Sequence, residues 1–257
     1  MAKQRMHLPR NNQNKEAEVI FFNQQAELEQ SLWFEESSTE QILAIAPFLK
    51  AQKGKLKILN AGCGSGNLSL KLAKLGHEVI GVDLSKKQIE LLMRWRHPDL
   101  KGKIGDLENK TLFNSKTFDV IFCSHIMHHF PSLNKVVNNF DYWLKSKGII
   151  FLAEPNNSNL FNPLSNIAGD ILSWINPSLG PKPGTINEIN YSYKDYQKVL
   201  ENQGFKIYFF GGLSPLFFSS GQGLRSALIF VREILYQIFR VFPHPYGSRI
   251  IVLEAKK

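Results

Sequence analysis

The strongest constraint on the fold is the segment KILNAGCGSGNLSLKLAKLGHEVIGVD at residues 57–83. An apolar strand pattern runs into three glycines, Gly62, Gly64 and Gly66, then into a helical pattern and a second strand that ends at Asp83. Glycines at a strand-to-helix turn let the backbone approach a ligand more closely than a side chain would allow. An acid at the end of the second strand is placed to bind a ribose. The segment therefore predicts a site for an adenosine-containing cofactor.

The spacing of the glycines separates two classes of adenosine cofactor. Dinucleotide-binding turns carry the pattern G-x-G-x-x-G, with the pyrophosphate at the helix N-terminus. Here the pattern is G-x-G-x-G, and Asn67 and Leu68 follow it. The spacing disfavours a nicotinamide-dependent dehydrogenase.

Apolar runs alternate with helical patterns along most of the chain. Four runs predict buried strands, at residues 56–62, 78–83, 118–124 and 148–154. Helical patterns lie between most of them, for example at residues 85–97, where Ser85 is the predicted N-cap, and at 133–145. This alternation is typical of an α/β domain in which helices cover both faces of a parallel sheet.

Both ends of the chain add elements to this core. Helical patterns at about 15–31 and 38–50 predict two helices before the sheet. Ser192 is placed as the N-cap of a later helix and Gly204 at its C-terminal end. FKIYFFGGL and RIIVLEAKK then predict two C-terminal strands, separated by a long apolar segment.

Composition limits the cellular context and the partners. A chain of 257 residues with 43% apolar content is expected to form one globular unit. The net charge of +9 would suit a nucleic-acid partner, but the basic residues are dispersed and form no arginine-rich run, so such a partner is disfavoured. The only cysteines, Cys63 and Cys123, suit buried thiols in a reducing compartment, and neither belongs to a metal-binding pattern. No secretory signal follows the first ten residues. We therefore expect a cytoplasmic protein without a metal site.

Three further segments extend the glycine turn into a family signature. GDL at 105–107 closes the third predicted strand. FDVIFCSHIMHHF at 118–130 contains the fourth strand, which is followed by polar side chains. KGIIFLAEPN at 147–156 contains the fifth strand, which ends at Glu154. In this order and spacing the sequence resembles class I S-adenosylmethionine-dependent methyltransferases, in particular the branch that methylates small molecules, lipids and quinones. The resemblance implies a Rossmann-like doubly wound sheet of strand order 3-2-1-4-5-7-6, with strand 7 antiparallel.

The same resemblance divides the single domain into regions. Residues 55–155 would form the cofactor-binding core and residues 1–54 an N-terminal helical lid. Two insertions, at 156–190 and 214–248, would form a helical cap on the substrate side.

The resemblance also implies the contacts of the cofactor. Asp83 would bind the ribose hydroxyls with Leu84 packed near the adenine, and Asp106 would hold the adenine amino group beside the backbone N–H of Leu107. Other contacts would come from Ala61, Gly62, Cys63, Gly64 and Gly66 under the methionine part and from Ser124 and His125 on the methyl-donor side. Asn60 replaces the family's usual acid, so it can offer the cofactor's ammonium group a hydrogen bond but no charge.

Methyl transfer places few demands on the protein beyond alignment of the acceptor and exclusion of water. An acceptor hydroxyl or acidic carbon gains from a base with a pKa near neutrality. His128 and His129 lie just past the fourth strand, and we predict that one of them is this base. Alternatively, the pair begins the next helix with one imidazole buried. Glu154 is predicted to contact the acceptor or, alternatively, to support the site structurally.

Candidate acceptor contacts lie in the N-terminal region and in the insertions. Trp33 and Phe34 would face the acceptor if that region is a lid, although aromatics at helical spacing also suit a core. Residues 224–240 form an amphipathic pattern that suits a peripheral membrane contact or an isoprenoid groove, or else an ordinary helix packed over the sheet.

Motifs typical of base methylation are missing from the sequence. SHIMHHF stands where adenine N-methyltransferases carry a [DNS]-P-P-[YFW] motif, and no Pro-Cys pair for attack on cytosine occurs. We therefore expect a methyltransferase for a small or lipid-like acceptor, with O- or C-methylation ahead of N-methylation. The alternatives are a class I RNA methyltransferase and a non-catalytic protein that binds S-adenosylmethionine.

Overall fold

The computed structural model describes residues 14–28, 41–42, 45–46, 48–156, 174, 185, 187–213 and 250–256. Its strands are β1 (Lys57–Ala61), β2 (Glu78–Asp83), β3 (Leu100–Ile104), β4 (Phe118–Ser124), β5 (Leu144–Pro155), β6 (Lys206–Leu213) and β7 (Ile250–Lys256). Its helices are α1 (Lys15–Leu28), α2 (Asn67–Lys74), α3 (Lys86–Met93), α4 (Leu133–Trp143) and α5 (Tyr193–Asn202), with 3-10 turns at Lys110–Leu112 and Met127–His129. Residues 41–42, 45–46 and 48–51 are also helical.

The strands form one sheet in the order β3-β2-β1-β4-β5-β7-β6. The pairs among β1 to β5 are parallel, whereas β7 runs antiparallel to both β5 and β6. This arrangement confirms the predicted fold class, including the strand order and the antiparallel seventh strand.

Helices cover both faces of the sheet because consecutive strand residues point to opposite sides. In β1, Ile58 packs into a core with α2 and α3, while Leu59 packs into a core with α4 and α5. Both residues are fully buried. The near-continuous apolar runs of the sequence therefore reflect strands that are buried on two faces.

The predicted helix ends agree with the structure in several places. The Ser85 hydroxyl accepts from the Gln88 N–H at the start of α3, and Ser192 forms a capping box with Asp195 at the start of α5. Gly204 follows α5 with a φ of 81°, a conformation that glycine adopts without strain.

Two predicted boundaries were wrong. The helix expected over 85–97 ends at Met93, since Arg96 has a left-handed φ of 47° and His97 precedes a proline, which disfavours helical backbone. The helix expected to reach residue 145 ends at Trp143, because β5 begins at Leu144, where that residue pairs with Phe118. Tertiary pairing thus overrides the helical pattern at this point.

None of the helices in the described part of the chain is long and apolar enough to cross a membrane. Residues 224–240, and most of both insertions, lie outside the described residues. The helical cap and the membrane contact therefore stay predictions.

Candidate functional site

The ends of five neighbouring strands bring the predicted site residues to one edge of the sheet. Ala61 on β1 pairs with Val82 on β2 and with Cys123 on β4. Asp83 pairs with Ile104 on β3, and Ser124 pairs with Ala153 on β5. The carboxyl edge of such a sheet is where α/β proteins bind their ligands. The glycine turn, Asp83, Asp106, the histidine pair and Glu154 therefore lie along this one edge of the sheet.

The glycine turn has three left-handed residues with different surroundings. Gly62, Gly64 and Gly66 have φ values of 66°, 50° and 87°. A Cβ at Gly62 would lie 2.6 Å from Ile126 Cγ1, and one at Gly66 would lie 2.7 Å from Leu92 Cγ. At Gly64 the nearest atom would be 3.9 Å away. Gly62 and Gly66 are thus required for packing inside the protein, whereas Gly64 leaves space beside the backbone that a ligand can fill.

Asp83 ties the glycine turn to the second strand. Its Oδ2 accepts from the Gly64 N–H at 3.0 Å, and its Oδ1 accepts from the Ser85 N–H at 2.9 Å. Burial raises the pKa of the Asp83 carboxyl above its usual value, although both hydrogen bonds oppose that effect. Each oxygen keeps a second acceptor position. Asp83 can therefore hold the turn and still accept from ribose hydroxyls.

Asn60 provides an independent test of whether a cofactor fits this edge. Its side chain is buried, and its Nδ2 donates to Ser69 Oγ at 2.8 Å. Its Oδ1 is buried without a hydrogen-bond partner among the residues that the structure describes. Because buried acceptors are normally paired, the orphaned oxygen and the open space at Gly64 both fit a bound molecule with a donor group.

The third strand leads to an acid that already has a cationic partner. Asp106 Oδ2 accepts from Lys15 Nζ at 2.5 Å, and Lys15 also pairs with Glu108. The other oxygen of Asp106 accepts from the Glu108 N–H at 2.9 Å. Leu107 is buried, and its carbonyl accepts from Asn139 Nδ2. Asp106 therefore contacts helix α1, and its role toward adenine stays a prediction.

Glu154 is a buried acid beside the histidine pair. Its side chain is 0% exposed, and its Oε1 accepts from the N–H groups of Ile126 and Met127 at 2.9 and 3.0 Å. Its Oε2 lies 2.9 Å from His128 Nδ1. Burial would raise the pKa of Glu154, but the hydrogen bond and charge of His128, the charge of His125 and the Met127 N–H together lower that pKa below its usual value. The carboxylate is therefore ionised at neutral pH and accepts the Nδ1 proton of His128.

His128 responds to the same contact in the opposite sense. Burial lowers its pKa, the hydrogen bond and charge of Glu154 raise it, and the net pKa lies above the usual value. Since Glu154 holds Nδ1–H, the neutral ring has its lone pair on Nε2. His128 is thus arranged as a proton acceptor, supported at Nδ1 by a fully buried acid.

His129 lies against His128 but has separate partners. The two ring centroids are 4.2 Å apart. His129 Nδ1 lies 3.1 Å from Thr185 Oγ1 and 3.4 Å from Glu18 Oε1. His128, His129 and Glu188 each bring one ligand atom within 4.8 Å of the others, a spacing from which a cation could also be bound.

The other predicted cofactor contacts of this edge are partly engaged. Ser124 Oγ accepts from Gln41 Nε2 at 2.6 Å. His125 has a left-handed φ of 53°, and burial lowers its pKa to about 4, so the ring is neutral at physiological pH. Cys63 and Cys123 are free and buried, and burial raises both thiol pKa values, so neither supplies a thiolate.

Lys15, Glu18 and Gln41 are site residues that the sequence did not reveal. Lys15 and Glu18 are one turn apart on a helix. That spacing predicts that they share a helix face, but it does not reveal their partners. Trp33 and Phe34, predicted to contact the acceptor, lie outside the described residues. Leu84 is half-buried beside Asp83, and its contact with adenine stays a prediction.

Sequence comparison identifies relatives of this arrangement. A sequence model described as a methyltransferase domain matches residues 59–152. The ubiquinone biosynthesis O-methyltransferase of Pelagibacter ubique (strain HTCC1062) is 31% identical over 122 residues, which are 47% of this chain and 51% of that protein. The protein of the same name from Rickettsia typhi is 30% identical over 125 residues, 47% of this chain and 50% of that protein. The chain spans about half the length of these curated relatives.

Solved structures share the fold over most of the chain. The 1,6-didemethyltoxoflavin-N1-methyltransferase of Burkholderia thailandensis, solved with bound 1,6-didemethyltoxoflavin and S-adenosylhomocysteine, is 15% identical with a TM-score of 0.59, covering 98% of this chain and 93% of that one. Magnesium protoporphyrin IX methyltransferase from Synechocystis PCC 6803, solved with bound SAH, is 17% identical with a TM-score of 0.58, covering 87% and 83%. At these identities the similarity concerns the fold.

Proposed function

We propose that the chain is a class I S-adenosylmethionine-dependent methyltransferase and that it methylates an oxygen of a small organic acceptor. The observation that carries the proposal is the buried Glu154–His128 pair beside the glycine turn. It places a proton acceptor on the same sheet edge as the predicted cofactor contacts. The relatives named ubiquinone biosynthesis O-methyltransferase support a phenolic or quinol-type hydroxyl as the acceptor group.

The residues of the edge fit S-adenosylmethionine. Gly64 would lie against the cofactor, Asn60 Oδ1 would accept from its ammonium group, Asp83 would bind the ribose and Asp106 the adenine amino group. When bound, the cofactor supplies an activated methyl group, so the protein has no donor to activate.

The acceptor side needs a group that removes the hydroxyl proton. A phenol has a pKa of about 10 in water, so at neutral pH it gains from a positioned base. His128 Nε2 takes this proton, and Glu154 stabilises the imidazolium that results because its carboxylate is buried against Nδ1. Glu154 is therefore a positioning residue in this proposal, in place of the predicted contact with the acceptor.

Calorimetric titration tests the cofactor half of the proposal. The protein should bind S-adenosylmethionine and S-adenosylhomocysteine with micromolar affinity and should not bind NAD. Absence of heat with both adenosyl compounds would contradict the proposal and favour a protein whose glycine turn has no cofactor.

Release of S-adenosylhomocysteine tests the transferase half. Catechol, hydroquinone and a short structured RNA serve as acceptor probes, so the RNA methyltransferase alternative is one arm of the same assay. His128→Ala should keep the affinity for S-adenosylmethionine and lower turnover on a phenolic probe by roughly 10²-fold. Cofactor binding without turnover of any acceptor would favour the non-catalytic alternative, whereas turnover of RNA alone would overturn the choice of acceptor.

The cytoplasmic location and the membrane contact of residues 224–240 stay predictions. The two free, buried cysteines support a reducing compartment.

A further inference from the structure

Helix α1 presents one face to the carboxyl edge of the sheet. Lys15, Glu18 and Phe22 are spaced i, i+3 and i+7, so they share that face. Lys15 reaches Asp106 beyond β3, while Glu18 reaches His129 beyond β4. The ring of Phe22 packs edge-on against His129, with centroids 5.5 Å apart. One helix therefore contacts both the predicted adenosine side and the acceptor side.

Glu18 is a buried acid on this helix. Its side chain is 3% exposed, against 6% for that of His129. Its Oε1 lies 3.4 Å from His129 Nδ1 and accepts from Asn187 Nδ2 at 2.8 Å. A buried charge is costly unless it is paired and hydrogen-bonded, and these contacts supply both conditions. Glu16, its neighbour in the same helix, is exposed.

We propose that Glu18 is a positioning residue for His129, supplied to the acceptor side by helix α1. The carboxylate accepts the proton on His129 Nδ1, so the neutral ring carries its lone pair on Nε2. Thr185 Oγ1 also contacts Nδ1, but a hydroxyl can donate or accept and does not select a tautomer by itself. The catalytic consequence of this assignment rests on the proposed function, whereas the tautomer of His129 does not.

The two histidines are then supported by the same kind of contact from different parts of the chain. Glu154 holds His128 from within the sheet. Glu18 holds His129 from a helix that lies outside it. The Glu154–His128 pair joins β5 to the turn after the neighbouring strand β4, whereas the Glu18–His129 pair requires α1 to lie against the edge of the sheet.

Docking of α1 depends on contacts with the cofactor side. Lys15 pairs with Asp106 and Glu108, and the Ser85 hydroxyl donates to Asn23 Oδ1 at 2.6 Å. The position of Glu18 is thereby linked to the strand ends that are predicted to bind adenosine. The helix that brings Glu18 to His129 is thus the one that Lys15 and Asn23 hold against the ends of β2 and β3.

Histidine nitrogen NMR of the full chain tests this assignment without any acceptor. Glu18→Leu removes both oxygens and keeps an apolar stem, Glu18→Gln keeps one acceptor oxygen, and Glu16→Leu is the exposed control on the same helix. In the parent protein His129 should be protonated on Nδ1. Glu18→Leu should lose this tautomer preference, Glu18→Gln should keep part of it, and Glu16→Leu should match the parent. An unchanged His129 signature in Glu18→Leu would overturn the proposal.

Kinetic measurements then distinguish a positioning role of Glu18 from a general loss of structure in helix α1. Glu18→Leu should lower kcat by about tenfold or more on the phenolic probe, with less effect on KM, because His129 packs against the base His128, with ring centroids 4.2 Å apart, and a shift of that base acts on the chemical step. A lower kcat in Glu16→Leu as well would mean that α1 has only a structural role. If the parent protein shows no turnover, the proposed function fails, yet the NMR comparison still decides the role of Glu18.

Discussion

Replacement of Glu154 by glutamine should change the stability of the protein little and lower its turnover strongly. Two backbone N–H groups donate to Oε1, so the single oxygen of glutamine must remain there. The amide NH2 then faces His128 Nδ1, which becomes an acceptor, and the proton of the neutral ring moves to Nε2. Glu154→Gln therefore keeps the shape of the site but removes the base.

The expected loss of stability is small. A hydrogen bond to a charged group contributes about 1.5–3 kcal/mol and one between neutral groups about 0.5–1.5 kcal/mol, so the substitution should cost about 1 kcal/mol. For a chain of this size, that corresponds to a fall in Tm of roughly 2–4 °C. The loss in turnover should be much larger, about 10²-fold or more, since general base catalysis contributes about 10²–10⁴-fold.

The pH dependence provides a second measurement. The lowered pKa of Glu154 stabilises the fold above 4.5, its unfolded value, and this contribution is lost as pH falls through the folded pKa. The raised pKa of His128 stabilises the fold below 6.5, and this contribution is lost as pH rises through the folded pKa. The pair should therefore contribute most to unfolding free energy between about pH 4.5 and 6.5, and Glu154→Gln should flatten that maximum.

The assays are denaturant unfolding across this pH range and turnover on a phenolic probe. Glu254→Gln is the matched control, because Glu254 is a buried acid on the adjacent strand β7 that pairs with Lys256 and lies opposite Phe151, away from Glu154. The control should lose some stability and keep the parental pH–rate profile. Parental turnover and an unchanged pH profile in Glu154→Gln would refute the assignment of His128 as a base that Glu154 orients.

Further substitutions test the cofactor edge and the fold. Asp83→Ala should weaken S-adenosylmethionine binding at least tenfold in calorimetry, since a hydrogen bond to a carboxylate contributes about 1.5–3 kcal/mol; unchanged affinity would exclude the ribose role. Gly66→Ala should destabilise the protein without cofactor by roughly 2–4 kcal/mol, because the new Cβ would lie 2.7 Å from Leu92 and the backbone φ is left-handed. Gly64→Ala should cost only the backbone strain, about 1–2 kcal/mol, and should mainly reduce cofactor affinity. Equal unfolding midpoints for the two variants would contradict this distinction. Ser192→Ala should lower unfolding free energy by about 1 kcal/mol through loss of the capping box, and a smaller change than for the exposed control Ser115→Ala would argue against the cap.

Local sequence patterns predicted those features of the structure that depend on interactions within a few residues. The capping hydroxyls of Ser85 and Ser192 and the left-handed Gly204 follow from short-range backbone chemistry, so the sequence predicted them correctly. The glycine turn and Asp83 were predictable for the same reason, because the turn and the next strand belong to one supersecondary unit. The order of the seven strands followed from the resemblance to a known family, and the structure confirmed it.

Tertiary structure decided the contacts that join distant parts of the chain. Lys15 and Asp106 are separated by 91 positions and His128 and Glu154 by 26, and no local periodicity reports such pairings. The end of α4 at Trp143 was decided by pairing of Leu144 with Phe118 rather than by helix propensity. The sequence by itself thus determined the turn that would hold a cofactor, whereas the charge partners of the two histidines were determined by packing, because only the folded sheet brings β4, β5 and α1 to a common edge.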